Sequence, residues 1–299
     1  MDALVTGSAG FLGRHFVAEL ERRGWNVNAW DIVDGECALT GFRYIPDSCV
    51  NVELVIHCAA VAPHRMAIDG TPLTVGAANL ELDAAMFQWA ARRNPGRVVY
   101  FSSSAAYPVE YQISDRLVET RALTEDDIDL PDHLPGGGTP DGIYGEVKVM
   151  GERLARLYRA SGGAVTVVRP FSGYGEDQSS VFPFGAFRDR ALAREDPFAV
   201  WGTGEQIRDW VHVDDVVGAV LAAVDAEVDG PVNIATGVGT SMAELAGMFC
   251  AEAGYAPQFQ FLHDRPSGVA YRVGDPARLL EFYTPRVTLD EGVKRALTA

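Results

Sequence analysis

Residues 1–20 read MDALVTGSAGFLGRHFVAEL: an apolar strand-like run, glycines at 7, 10 and 13, and then an amphipathic helix-like segment. Glycine inside a regular element costs about 0.5–1 kcal/mol relative to alanine. Three of them at a fixed spacing, where a strand hands over to a helix, imply that something approaches the backbone closely. Outward from this unit the alternation continues. Strands are expected at residues 3–5, 27–30, 54–58, 97–102 and 165–169, and helices at 11–23, 79–92 and 144–161. The strand runs are continuously apolar, as strands are when helices cover both faces of a sheet. The expectation is an α/β fold: a doubly wound parallel Rossmann sheet with right-handed crossovers.

Bulk properties narrow the function. The chain has 299 residues, 47% hydrophobic and 22% charged, with a formal net charge of −16. That length suits one large domain with an appended lobe. The acidity argues against nucleic acid or an anionic membrane as partner. Cys37, Cys49, Cys58 and Cys250 show no CxxC spacing, which supports neither a zinc site nor a disulfide framework and fits a reducing compartment. No run is long enough to span a bilayer. The expectation is a cytoplasmic chain, complete at its N-terminus. Residues 108–142 are acidic and rich in Pro and Gly and are expected to form a long surface loop. Residues 1–170 are expected to bind a cofactor and 171–299 to form mainly a smaller α+β substrate-binding lobe, with segments returning to the sheet.

The strand–GxxGxxG–helix unit brings backbone N–H groups and a helix N-terminus to one point, which favours a diphosphate. The second strand ends in Asp31, followed by Ile-Val-Asp with no arginine. An acid there accepts hydrogen bonds from ribose hydroxyls and repels a 2′-phosphate, so NAD is favoured over NADP. Ser102, Ser103 and Ser104 end another strand, at the edge where such sheets bind ligands. Tyr144 and Lys148 lie four residues apart, on one helix face. A nearby ammonium favours the phenolate, which makes Tyr144 a general base for an alcohol proton.

With these pieces assembled the chain resembles an extended short-chain dehydrogenase/reductase of the nucleotide-sugar epimerase/dehydratase group, including its UDP-glucose 4-epimerase-like members. TGSAGFLG, HCAA, GAANLELDAA, FSSSAAYP, YGEVK, RPFSGYGEDQ, RDWVHVDDVVGAV and NIATGVGTSMAELA fall in the family's order over essentially the whole chain. The resemblance implies Ser103, Tyr144 and Lys148 as catalytic residues. For NAD it implies Gly7, Gly10, Phe11, Leu12, Gly13, Asp31 and Ile32, then Cys58, Ala59, Ala60 and Asn79 with neighbouring His57, and Ser102 and Pro170 with Tyr144 and Lys148. For a nucleotide-diphosphate sugar, UDP-sugars foremost, it implies Ser103, Ser104, Tyr144, Ser172, Arg208 and Arg265. Two positions depart from the pattern: Ser172 stands where many members carry Asn, and Gly268 where epimerases often carry Asp.

The resemblance also implies a shared first step, oxidation at sugar C4 to a 4-keto sugar. Relatives that go on to dehydrate or decarboxylate commonly place an acid two residues before the Tyr of the serine segment, and some epimerases a Cys; here Ala105 stands there. The simplest outcome is then 4-epimerisation by hydride return. A 4,6-dehydratase drawing an acid from Glu110, Asp115, Glu119, Glu125 or Asp126, a 4-keto reductase, and a non-catalytic NAD(P)-binding sensor are the alternatives. No metal is expected: His212, Asp214 and Asp215 read as a strand-to-helix junction where Asp caps the helix. Trp25, Trp89 and Trp210 read as core or lobe packing. A homodimer through a four-helix bundle is implied, with Met86, Phe87 and Met150 as contacts.

Overall fold

The computed structural model describes residues 1–33, 35, 37–44, 51–61, 70–113, 121–128 and 138–298. Cys49, Asp115 and Glu119 lie outside the described residues. In chain order the first part contains β1 (Asp2–Thr6), α1 (Phe11–Arg22), β2 (Asn26–Trp30), α2 (Ala38–Tyr44), β3 (Leu54–His57), α3 (Pro72–Arg93), β4 (Arg97–Phe101), α4 (Gly142–Ala160) and β5 (Val165–Pro170). The remainder contains β6 (Ser172–Tyr174), α5 (Pro183–Leu192), β7 (Phe198–Trp201), β8 (Ile207–His212), α6 (Val213–Asp225), β9 (Gly230–Ile234) and β10 (Gly239–Ser241). It closes with α7 (Met242–Glu252), β11 (Phe259–Leu262), β12 (Tyr271–Arg272), α8 (Ala277–Leu280) and α9 (Leu289–Thr298).

Six strands form a sheet in the order β2-β1-β3-β4-β5-β9, every pair parallel. The order reverses between β1 and β3, so their carboxyl ends flank a crevice, the place where open α/β sheets bind ligands. Both faces are covered, which explains the unbroken apolar runs. On one side Phe16 and Leu20 of α1 and Val216 and Val220 of α6 meet Ala3, Val5 and Ile56. On the other, Met86 and Trp89 of α3 and Ala155 of α4 meet Leu4, Val55 and Val98. Neighbouring residues of β1 thus serve opposite cores, following the two-residue period of a strand. β9 joins this sheet from late in the chain. Strands β6, β10 and β12 pair with β8, and β7 pairs with β11. Around them Tyr174, Phe184, Phe198, Trp210, Leu245 and Phe249 make a separate core.

Several expectations are corrected. Helix α3 begins at Pro72, ahead of Asn79. Pro is tolerated in a first helical turn, where its missing N–H has no intrahelical partner, so the helix starts there rather than at Asn79. Met86 and Phe87 are buried inside the chain's own core, which leaves Met150 as the exposed one of the three expected dimer contacts. Gln112, Leu123 and Glu125 are buried too, so 108–142 is not simply a surface loop. Gln112 donates to the carbonyls of Tyr107 and Pro108, and the Glu125 carboxylate accepts the Asn233 N–H. At the head of α6 the cap is His212, whose Nδ1 accepts the Asp214 N–H. Asp215 instead accepts from Tyr283, Arg286 and Val287, fixing the C-terminal segment. Trp89 and Trp210 are buried and Trp25 packs on the α1 side of the sheet.

One buried ion pair fastens α4 to the sheet. Arg169 of β5 donates Nε and Nη2 to the two oxygens of Glu152 at 2.8 and 2.7 Å. Its Nη1 reaches the Tyr107 hydroxyl and the Glu125 carbonyl. Removing one member of a buried pair strands the other charge in low dielectric, at a cost of about 3–5 kcal/mol. Glu152→Ala is therefore expected to lower the unfolding free energy, read from a urea titration, by an amount of that order; an unchanged midpoint contradicts the pairing.

Candidate active site

A cleft of about 910 Å³ opens at the carboxyl ends of β1, β3 and β4 and runs to β7, β8 and the 266–268 segment. Its floor is the glycine loop. Gly7 turns at φ +67°, and a Cβ on Gly13 would lie 2.0 Å from the Gly7 carbonyl oxygen, so α1 presses on the loop as no larger residue allows. No side chain caps α1 at Gly10, which leaves its first amides available to an anion. Arg14 and His15 in the first turns of α1 hold Asp177, from the segment after β6, and so close one end of the floor.

Asp31 is buried at the tip of β2. Its oxygens accept the Ala9 and Val33 N–H groups, each at 3.0 Å. The glycine loop thus orients a carboxylate whose remaining lone pairs suit ribose hydroxyls. The uncapped helix, the glycine-lined floor and the fixed acid together fit an adenine dinucleotide diphosphate.

Opposite the floor stands the hydroxyl and amine wall. Ser103 caps a 3-10 turn, Ser104–Ala106, its Oγ accepting the Ala105 N–H. The Ala105 carbonyl in turn accepts the Asp141 N–H at 2.9 Å, which ties the serine segment to the start of α4. Tyr144 and Lys148 face the cleft one helical turn apart, with the Lys148 ammonium 5.6 Å from the Tyr144 ring centre. Ser102 donates to Glu152 at 2.5 Å, so it joins the buried pair behind the wall. Cys58 lines the same space, but burial pushes its thiol pKa up against the pull of Lys148.

The structure brings together Gly7, Gly10, Phe11, Leu12 and Gly13 with His57, Cys58, Ala60, Ser102 and Pro170 on the cleft, and Ser103, Tyr144, Lys148, Ser172 and Arg208 with them. Both departures from the family pattern, Ser172 and Gly268, line it as well. Other expected residues stand elsewhere. Ile32 is 76% exposed beyond Asp31, and Ser104 is buried within its turn. Ala59 lies behind Gly7. Asn79 is fully buried, its amide bonded to both backbone groups of Val61 and to the Val75 carbonyl; it shapes the loop after β3 from behind. Arg265 is absent from the wall, its guanidinium lying 5.8 Å over the ring of Trp201, which does line it.

Of the acids expected to serve a dehydratase, Glu110, Glu125 and Asp126 sit away from the cleft. Glu110 accepts the Thr139 N–H and Asp126 holds Arg278. Burial raises the Glu125 pKa despite its hydrogen bonds and nearby arginines. The lining residues that sequence reading missed include Asp141, Arg272, Arg190 and Gln206. Asp141 accepts from Arg272 at 2.7 Å, and Arg272 also donates to Gln112. Gln206 had a usable signal: it stands two residues before Arg208, just ahead of β8, the spacing at which extended backbone repeats its side-chain direction.

The model of the NAD dependent epimerase/dehydratase family matches residues 3–235. A dTDP-4-dehydro-6-deoxy-D-allose reductase of a Streptomyces species is 28% identical over 93% of this chain and 89% of its own. The UDP-glucose 4-epimerase of Bacillus subtilis is 25% identical over 93% and 90%. The crystal structure of UDP-glucose 4-epimerase from Thermotoga maritima with UDP-glucose superposes with a TM-score of 0.82 at 25% identity, covering 100% of this chain and 98% of that one. Gly13→Ala is expected to weaken NAD binding more than tenfold in calorimetry, about 1.4 kcal/mol or more. Unchanged affinity contradicts a diphosphate seat at the glycine loop.

Proposed function

The chain belongs to the NAD dependent epimerase/dehydratase family, and from that premise we propose that it is a nucleotide-sugar 4-epimerase. The observation that carries this reading is the chemistry of the cleft wall. Ser103, Tyr144 and Lys148 share it with one carboxylate among the described residues, Asp141, and that one is engaged by Arg272. Dehydration across C5 and C6 needs a further acid and base. Beyond the nicotinamide that accepts the hydride, reversible oxidation at C4 needs only a phenol, a hydroxyl and a cation.

NAD, when bound, supplies a hydride acceptor that also gives the hydride back. Tyr144 takes the proton from the sugar O4 and returns it after the keto sugar has turned. The Lys148 ammonium stands beside it, 5.6 Å from the Tyr144 ring centre. Ser103 hydrogen-bonds the same oxygen and fixes its position. Arg208 is assigned to the substrate phosphates, in keeping with the guanidinium fork, with Ser172 and Gly268 near the nucleotide. UDP-sugars are favoured because the Thermotoga neighbour was solved with UDP-glucose. Residues 1–170 carry the cofactor in this reading and 171–299 mainly the substrate, in a cytoplasmic enzyme.

A homodimer goes with it, through a bundle of α3 and α4 from each copy. Leu80, Met150 and Leu157 on those helices are 41%, 45% and 66% exposed. A Met150→Glu/Leu157→Glu double variant is expected to sediment as a monomer; a dimer retained in the variant contradicts that interface.

A second reading, a 4-keto reductase, has the Streptomyces relative in its favour. Incubating the chain with UDP-, dTDP-, GDP- and CDP-hexoses and following the products by NMR separates the two. A C4 epimer without added NADH is expected, and Tyr144→Phe is expected to slow it by about 10²–10⁴-fold, the usual range for a general base. Turnover only of 4-keto sugars, with stoichiometric consumption of a reduced nicotinamide, establishes the reductase instead.

A further inference from the structure

Behind the cleft wall lies a buried carboxylate for which epimerisation as described has no use. Asp83 of α3 is 1% exposed. The Tyr100 hydroxyl of β4 donates to its Oδ2 at 2.6 Å. His57 of β3 brings Nε2 to 3.4 Å from its Oδ1, while the other ring nitrogen bonds Thr6 at 2.8 Å. The Tyr100 ring also carries the Lys148 ammonium, 5.2 Å from its centre. Lys148 is itself only 3% exposed. A phenol thus spans the two buried ionic groups, its hydroxyl on the acid and its ring on the cation.

The contact has been given room. A Cβ on Gly151, three residues beyond Lys148 on the same helix, would fall 1.7 Å from the Tyr100 hydroxyl. Burial acts to raise the Asp83 pKa, yet the Lys148 charge, His57 and the Tyr100 hydrogen bond together hold it below the usual value. Burial and the Asp83 charge push Tyr100 well up, so it remains a donor.

We propose that Asp83, fixed by Tyr100 and His57, is a positioning residue: the buried counter-ion that keeps Lys148 charged and in place under the cofactor. This rests on the assignment of Lys148 to the cofactor site. An ammonium in low dielectric favours its neutral form unless a carboxylate compensates it. Lys148 sits among ionisable neighbours on every side. Asp83 comes from α3, Tyr100 from β4, and His57 and Cys58 from β3 and its loop. Tyr144 and Glu152 share its own helix, and Glu152 is neutralised by Arg169 of β5. Asp83 is the carboxylate of this group not already held by an arginine, among the contacts described.

The test is NAD binding by calorimetry across pH, which needs no turnover. In Asp83→Asn burial drives the Lys148 proton off at lower pH. The Lys148 contribution to affinity is then present at acidic pH and lost as pH rises. The expected result is an NAD Kd that rises at least tenfold more between pH 6 and 9 in Asp83→Asn than in the parent, one linked proton giving at most about tenfold per pH unit. Lys148→Met is expected to bind weakly with no such added slope, and Asp83→Asn/Lys148→Met to match Lys148→Met. Tyr100→Phe, which keeps the ring and the carboxylate, is expected to give an intermediate slope and serves if Asp83→Asn does not fold. Parallel curves for the parent, Tyr100→Phe and whichever Asp83 variant folds overturn the proposal, since a merely structural acid weakens binding equally at every pH. Steeper curves in a chain that turns over no nucleotide sugar leave this proposal standing and sink the epimerase reading; parallel curves in an active epimerase do the reverse.

Discussion

Helix α4 carries a buried cation and a buried anion one turn apart, Lys148 and Glu152, and much of the architecture follows from satisfying them. Neither can be left alone in the interior, because an unpaired ion there costs several kcal/mol. Glu152 is met by Arg169 at the end of β5 and by Ser102 at the end of β4. Those bonds set the height of α4 against the carboxyl edge of the sheet. With that height fixed, Tyr144 and Lys148 open onto the same crevice as the glycine loop. The chemical wall is therefore placed by ionic bonds behind it as much as by apolar packing.

The crevice exists because the sheet changes direction between β1 and β3. Its two sides come from distant parts of the chain, joined by a few polar ties. Arg14 and His15 reach Asp177 near the glycine loop. Arg272 reaches Asp141 and Gln112 beside the head of α4. These ties connect the helices of the large sheet to the segments after β5, so that residues from both parts form one continuous cleft lining.

Much of this was legible in the residues. The strand, three glycines and helix at the N-terminus, the acid after β2 and the Tyr144–Lys148 spacing each follow from local rules, because backbone approach and helical periodicity are written in short stretches. What stayed hidden depends on partners far apart in sequence. Glu125 reads as one of many acids in a loop, yet it is buried against Asn233. Met86 and Phe87 lie on a helix whose outer face reads as an interface, but the α3 register turns both inward. Asn79 and Ser104 sit beside the cleft and bond away from it or fill the turn beneath. Asp83 gave no signal at all, since its partners Tyr100, His57 and Lys148 come from three other elements. Least legible is the far part of the cleft, lined by Ser172, Gly268, Arg272 and Asp141, where short side chains and a mutual ion pair give no one-residue signature.

In a 4-epimerase one hydride leaves the sugar C4 and comes back to the same carbon without escaping the cleft. A UDP-hexose deuterated at C4, incubated with the chain in ordinary water and analysed by NMR and mass spectrometry, tests it directly. Full retention of deuterium at C4 of the epimer is expected. Loss of the label, or a product whose label has moved to another carbon, contradicts it.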